Sequence, residues 1–249
     1  MLRQLQRKNL LFPLILLIAL VCSACAAGST AGTVSRSAPS PTSQSQAITG
    51  QQLLSKPVVY VAMGASDAVG VGSNQPGSQG YVPLLAQRLP RGSHFLNLGV
   101  SGIHLHQAIT EELPLALSTA PGLVTIWLVA NDFVAGVSYE SYMSDLDTLL
   151  KRLRAGIQAR VVMANLPNLA QLPRFAQLSS AQQVHMQEQL QRWNAQIAVI
   201  AARYHVTIVD LFNRSQLTTH PEYVSGDGFH PSPAGYVQLA DAFWQAIQA

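Results

Sequence analysis

After Cys25 the sequence has no cysteine, and before Asp67 it has no acidic residue. The first absence excludes a disulfide framework, a thiolate metal site and a cysteine nucleophile from everything past residue 25. Any nucleophile there is a hydroxyl or a carboxylate. Charge is also scarce, at 11% of the chain, and the 15 Lys and Arg exceed the 12 Asp and Glu by three. That excess equals the three basic residues at the start, Arg3, Arg7 and Lys8, so the remainder is neutral and offers no electrostatic footprint for nucleic acid. No internal repeat argues for a solenoid.

What is present begins with a charged segment, an apolar run and small residues, LLFPLILLIALVCSACAAG, the pattern of an export signal. Residues 1–25 are therefore read as a leader, with three outcomes open. CSAC at 22–25 resembles a degenerate lipobox in which Cys25 is lipidated and tethers the protein to the outer side of the cytoplasmic membrane; an ordinary signal peptidase releases it; or the segment stays as an anchor. Residues 26–55 are rich in Ser, Thr, Ala, Gly and Gln, with no long apolar side chain until Ile48, and are read as a disordered tether. Residues 56–249 remain for one domain of about 190 to 200 residues, long enough to bury a good core.

Five runs in that domain predict strands: VVYVAMG at 58–64, HFLNLGV at 94–100, LVTIWLVAN at 123–131, RVVMANLP at 160–167 and VTIVDLF at 206–212. Each is mostly apolar on both faces and precedes a stretch of helical spacing, as in Tyr139, Tyr142, Met143, Leu146, Leu149, Leu150 and Leu153. Another stripe, Leu190, Trp193, Ile197 and Ile200, follows Ser179-Ser180 and reads as core packing. The last helix opens with Ser232 as cap and Pro233 at its first position. The expected fold is α/β, a doubly wound three-layer α/β/α sandwich on a five-stranded parallel sheet, whose ligands bind outside the carboxyl ends of the strands.

At those ends the sequence places Ser66, then NLGVSG at 97–102, then Asn131-Asp132, and finally SGDGFHPSPAGY with Asp227 and His230 three residues apart. These are the parts of acyl transfer. A serine hydroxyl needs a base to take its proton, and histidine suits that task. A carboxylate one turn away holds the imidazole, and donors such as the amides of Ser66 and Gly99 with the Asn131 side chain meet the oxyanion. Gly99 and Gly102 also read as turn glycines, Asp132 as structural, and Asp67 as a helix N-terminal carboxylate.

Gly64-Ala65-Ser66, Gly99 within NLGVSG, Asn131-Asp132 and Asp227-Gly-Phe-His230-Pro231 resemble, in order, the four blocks of the SGNH hydrolases, also called GDSL esterases and lipases. That resemblance implies a flavodoxin-like five-stranded sheet, Ser66 as nucleophile, His230 as base, Asp227 as its partner, and Gly99 and Asn131 as oxyanion donors. It implies no metal and no organic cofactor. Two positions depart from the family pattern. Ala65 stands where the family has aspartate, and Ala130 where it has glycine; neither removes a proposed catalytic group, but the substrate preference of standard members is not carried over to this chain.

His104 and His106 form H-x-H, two imidazoles on one side of an extended segment without a third ligand, so a metal pair is not expected. His94, His185, His205 and His220 have no matching partners. Two loops, 71–80 and 168–180, are placed to shape the substrate site, with Phe133, Leu172 and Phe175 lining an acyl pocket. The expected function is an exported serine esterase acting on small-molecule, lipid or glycan esters. The alternatives are a cell-envelope glycan O-acetylesterase or acyltransferase, and a tethered ligand-binding protein without turnover.

Overall fold

The computed structural model describes residues 50–214 and 216–249. The leader, the Cys25 site and the tether up to residue 49 lie outside the described residues. Of the expected tether at 26–55, residues 50–55 are described. Gly50–Leu53 (α1) is a helical turn in which Leu53 is buried, and Gly50 backs so closely onto the last turn of the C-terminal helix that a Cβ would lie 2.4 Å from Ile247 O.

The sheet contains β1 (Val59–Gly64), β2 (His94–Asn97), β3 (Leu123–Trp127), β4 (Arg160–Ala164) and β5 (Thr207–Val209). They pair in the order β2-β1-β3-β4-β5, every pair parallel, with Val61 opposite Leu96 on one side and Val124 on the other. The helices are α2 (Ser66–Val69), α3 (Pro76–Gln79), α4 (Tyr81–Ala86), α5 (Leu105–Ser118), α6 (Ala130–Val134), α7 (Tyr139–Gly156), α8 (Ser180–Arg203), α9 (Gln216–Thr219) and α10 (Pro233–Gln248). One layer is built by α5, α7 and α8, which pack side by side, and the other by α4 and α10. The fold is the doubly wound sandwich expected.

β1 runs to Gly64 as expected, and the other four strands end before their apolar runs do. Leu128, Val129, Leu166 and Leu211 are buried but lie past the last paired residue, so burial continues where the ladder has ended. The second strand departs further: as an edge strand with all four residues exposed, it leaves Phe95 48% accessible, where the sequence predicted burial on both faces.

The helix stripes pack as their spacing demands. Tyr142, Met143, Leu146, Leu149, Leu150 and Leu153 of α7 are all buried, each contributing about 1.5 to 3 kcal/mol by leaving water. Trp193 of α8 meets Tyr142 with ring centroids 4.8 Å apart. The starts of α8 and α10 are fixed by Ser179, whose hydroxyl accepts the Gln182 N–H, and by Ser232, which accepts the Gly235 N–H. Because β1 lies between β2 and β3, the chain leaves it toward opposite sides, and a crevice opens at the carboxyl ends of β1 and β3.

Candidate active site

Ser66 is the first residue of α2, directly after β1 and Ala65. The turn is compact because Gly64 has no side chain: a Cβ there would sit 2.7 Å from that of Ala68. It closes at Gly70, whose φ of 91° suits glycine. Glu112 of α5, buried among apolar neighbours, fixes the entry to this turn by accepting the Gly64 N–H at 3.0 Å. Burial pushes its carboxyl up to about 8, against the lowering effect of the Gly64 N–H. Nothing in the sequence marks Glu112, one acid within an apolar stripe.

The loop after β5 carries the partners. Ser225 N–H donates to His230 O at 2.8 Å, and Gly228, at φ 73°, turns the chain between them. One Asp227 oxygen accepts the Ser225 hydroxyl at 2.8 Å, the Phe229 N–H at 2.8 Å and the His230 N–H at 3.0 Å. The other lies 2.5 Å from His230 Nδ1. Partial burial alone would raise the Asp227 carboxyl, but the bonds from the His230 ring, the two amides and Ser225 outweigh it and hold the group well below the ordinary carboxylate range. As an ionised acceptor, Asp227 requires the proton on Nδ1, which leaves Nε2 to accept from Ser66 Oγ at 2.9 Å. Three side chains from the two ends of the domain thus form one hydrogen-bonded chain.

The oxyanion side differs from expectation in one residue. Gly99 cannot serve: its single N–H already donates to Asn97 Oδ1 at 3.1 Å, in a turn that Asn97 also ties to Ala68 O at 2.6 Å. A Cβ on Gly99 would meet Ala68 at 2.7 Å, so its glycine is required by packing. Gly102, read from the sequence as a turn glycine, lines the same cleft as Ser66, His230 and Asn131. Its φ is 81°, a Cβ would face open space, and its N–H has no acceptor among the described residues.

Asn131, in α6, donates one amide hydrogen to Ile103 O at 3.0 Å and keeps the other. The next residue, Asp132, is buried and accepts the Leu105 N–H at 3.1 Å. These two bonds stitch α6 to the 99–105 segment and set Gly102 and Asn131 in register. Burial raises the Asp132 carboxyl, against the opposing pull of Leu105 N–H and His104.

The H-x-H pair is not in an extended segment. His104 caps α5 and His106 is its second residue, two apart on a helix and therefore not facing one another. His104 Nδ1 lies 3.5 Å from Asp132 on the cleft wall, and His106 Nδ1 lies 3.2 Å from Asp145 at the surface. Asp67 is buried at the second position of α2; burial pushes it up to about 6, with His230 pulling it down.

The three predicted pocket residues separate. Phe133 turns away to pack edge-on against Trp193, 5.3 Å between centroids. Phe175 packs against Phe229 at 6.3 Å. Leu172 lines a much smaller cavity of about 40 Å³ beside His230, shared with Asp67, Trp127 and Leu211. The walls of the main cleft, about 460 Å³, are instead Val71, Val134, Ala135, Arg174 and Phe229. All but Val134, the last residue of α6, come from turns or loops, where apolar periodicity gives no signal.

Residues 62–238 match the profile of the GDSL-like Lipase/Acylhydrolase family. The chain belongs to this family. It is therefore an ester-hydrolysing enzyme, and its sheet is that of solved relatives in structure. TesA superposes with a TM-score of 0.60 at 23% identity, over 76% of this chain and 98% of its own. The psychrotrophic esterase EstA from Pseudoalteromonas sp. gives 0.58 at 18%, over 76% and 96%. A variant of Axe2, an acetyl xylan esterase from Geobacillus stearothermophilus, gives 0.59 at 20%, over 76% and 94%. At these identities the likeness is one of fold. No curated protein matches the sequence.

Proposed function

We propose that this GDSL-like hydrolase cleaves carboxylic esters through an acyl-Ser66 intermediate. The observation that carries the reading is the continuous chain Ser66 Oγ, His230 Nε2, His230 Nδ1, Asp227 Oδ2, with bonds of 2.9 and 2.5 Å. As Ser66 Oγ attacks the ester carbonyl, its proton passes to Nε2, and the imidazolium formed is stabilised by the ionised Asp227. The oxyanion is met by the Ser66 and Gly102 amides and by the free Nδ2 hydrogen of Asn131. The imidazolium then gives its proton to the departing alkoxide. A water, deprotonated by His230, attacks the acyl carbon, and collapse of the second tetrahedral intermediate releases the acid and returns the proton to Ser66.

Asn131→Leu tests the oxyanion assignment. It should lower kcat by about a hundredfold to a thousandfold, with a smaller change in KM, because its donor acts on charge that develops in the transition state. Steady-state kinetics with p-nitrophenyl acetate measure this. A kcat within threefold of wild type would remove Asn131 from the oxyanion site.

Export is part of the same reading, supported by Arg3, Arg7 and Lys8 before the apolar run that ends at Cys25. Lipidation at Cys25 would keep the enzyme at the outer face of the cytoplasmic membrane. Mass spectrometry of the mature N-terminus should find it beginning at a diacylated Cys25; an unmodified N-terminus beyond residue 25 would replace tethering with secretion, and an intact Met1 would remove cleavage altogether.

A further inference from the structure

The main cleft contains one permanently charged side chain that the triad does not use. Arg174 lies on the 3-10 turn Pro173–Phe175, exposed, and lines the same cleft as Ser66 and His230. Its placement is built. The Arg174 N–H donates to Gly228 O at 3.0 Å, tying this turn to the loop that carries Asp227 and His230. The guanidinium sits 5.8 Å from the centre of the Phe229 ring, and that ring meets His230 edge-on at 5.2 Å. Stacking on an aromatic face holds the cation beside the catalytic imidazole while leaving its N–H edge free.

No carboxylate balances it. Arg88, Arg192 and Arg203 each have an acidic partner within 4.0 Å, and Arg154 and Arg160 donate to backbone carbonyls. Among the described residues Arg174 has neither kind of partner. Of the other ionisable groups on the cleft wall, Asp227 is engaged with His230, Ser225 and two amides, and His104 Nδ1 faces Asp132 at 3.5 Å. A guanidinium presents paired donors that match two oxygens of one anion, and such charge-assisted bonds are stronger than neutral ones.

We propose that Arg174 makes this cleft selective for esters that carry an anionic oxygen group, carboxylate or phosphate, near the scissile bond. The inference rests on the ester-hydrolysis reading and adds the charge of the substrate to it.

Matched pairs of esters test it on the purified protein. The pairs are 4-acetoxybenzoate against its methyl ester, mono-4-nitrophenyl adipate against 4-nitrophenyl hexanoate, and 4-acetoxyphenyl phosphate against phenyl acetate. At low ionic strength kcat/KM for at least one anionic member should exceed that of its neutral partner by about tenfold, mainly through KM, and the ratio should shrink with added salt. The first two pairs separate an alcohol-side from an acyl-side carboxylate, and the third selects phosphate.

Arg174→Gln should bring the favoured ratio close to one, Arg174→Glu should invert it, and Arg174→Lys should restore part of it. Near-equal rates within every pair in wild type, or a preference that survives Arg174→Gln, would overturn the proposal. If wild type hydrolyses no ester, the hydrolytic reading fails first, and calorimetry with benzoate and phenyl phosphate decides the anion site separately. Binding that Arg174→Gln abolishes supports it, and no binding, or binding that persists in Arg174→Gln, overturns it.

Discussion

Ser66→Ala should lower kcat for ester hydrolysis by between about ten-thousand-fold and a million-fold. Among the described residues lining the cleft, it is the Ser66 hydroxyl that meets an imidazole: His230 Nε2 lies 2.9 Å away, and its opposite nitrogen is held by an ionised carboxylate. Removing Oγ leaves no atom to carry the acyl group. The residual rate would come from the amides of Ser66 and Gly102 and from substrate positioning. Stability should change by only about 1 kcal/mol, since the substitution deletes one hydrogen bond and shortens a side chain at the start of a single helical turn. Kinetics with p-nitrophenyl acetate and a thermal melt separate these effects. A kcat within tenfold of wild type, in a folded protein, would move the nucleophile elsewhere.

Asp227→Asn should cost about ten-thousand-fold in kcat, for a reason unrelated to size. Asparagine can still accept from Ser225, Phe229 N–H and His230 N–H with its oxygen, so the 225–230 loop keeps its shape. Its NH2 then faces His230 Nδ1 where an acceptor stood. That nitrogen must give up its proton, the other tautomer forms, and Nε2–H points at Ser66 as a donor instead of an acceptor. The expected signature is a lost kcat with KM little changed and a melting temperature close to wild type. A variant that kept more than a tenth of wild-type kcat would show that the tautomer is fixed by something other than Asp227.

The layout of the sheet was legible because parallel strands buried on both faces must be apolar along their length, and helices between them must carry one apolar stripe. Boundaries were not, since Leu128, Val129 and Leu166 are as buried as the paired residues before them. HFLN looked like the other strands and proved to be an exposed edge, a fact set by what fails to cover it. The polar residues at the strand ends singled out Ser66, Asn131, Asp227 and His230, and these line one cleft. The choice between Gly99 and Gly102 depended on which amide Asn97 had already taken, a side-chain bond that spacing within NLGVSG does not encode. Arg174 and Phe229 reach the cleft through loop geometry, and Phe133 packs instead against Trp193, a tertiary contact that sequence spacing does not encode.

Ala65 also has an account. It is buried, and its carbonyl accepts the N–H groups of Ala68 and Val69, so the backbone makes the turn without help from a side chain at this position. The acid of this stretch is instead Asp67, on the buried side of the turn.

The central claim is that one serine in this chain is activated, and a fluorophosphonate probe reads activation directly. Treated with the probe, digested and mapped by mass spectrometry, the wild-type protein should carry one adduct, on the peptide containing Ser66, with hydrolysis lost in step with labelling. Asp227→Asn should label far more slowly. An adduct on another residue, or hydrolysis that persists in fully labelled protein, would contradict the account.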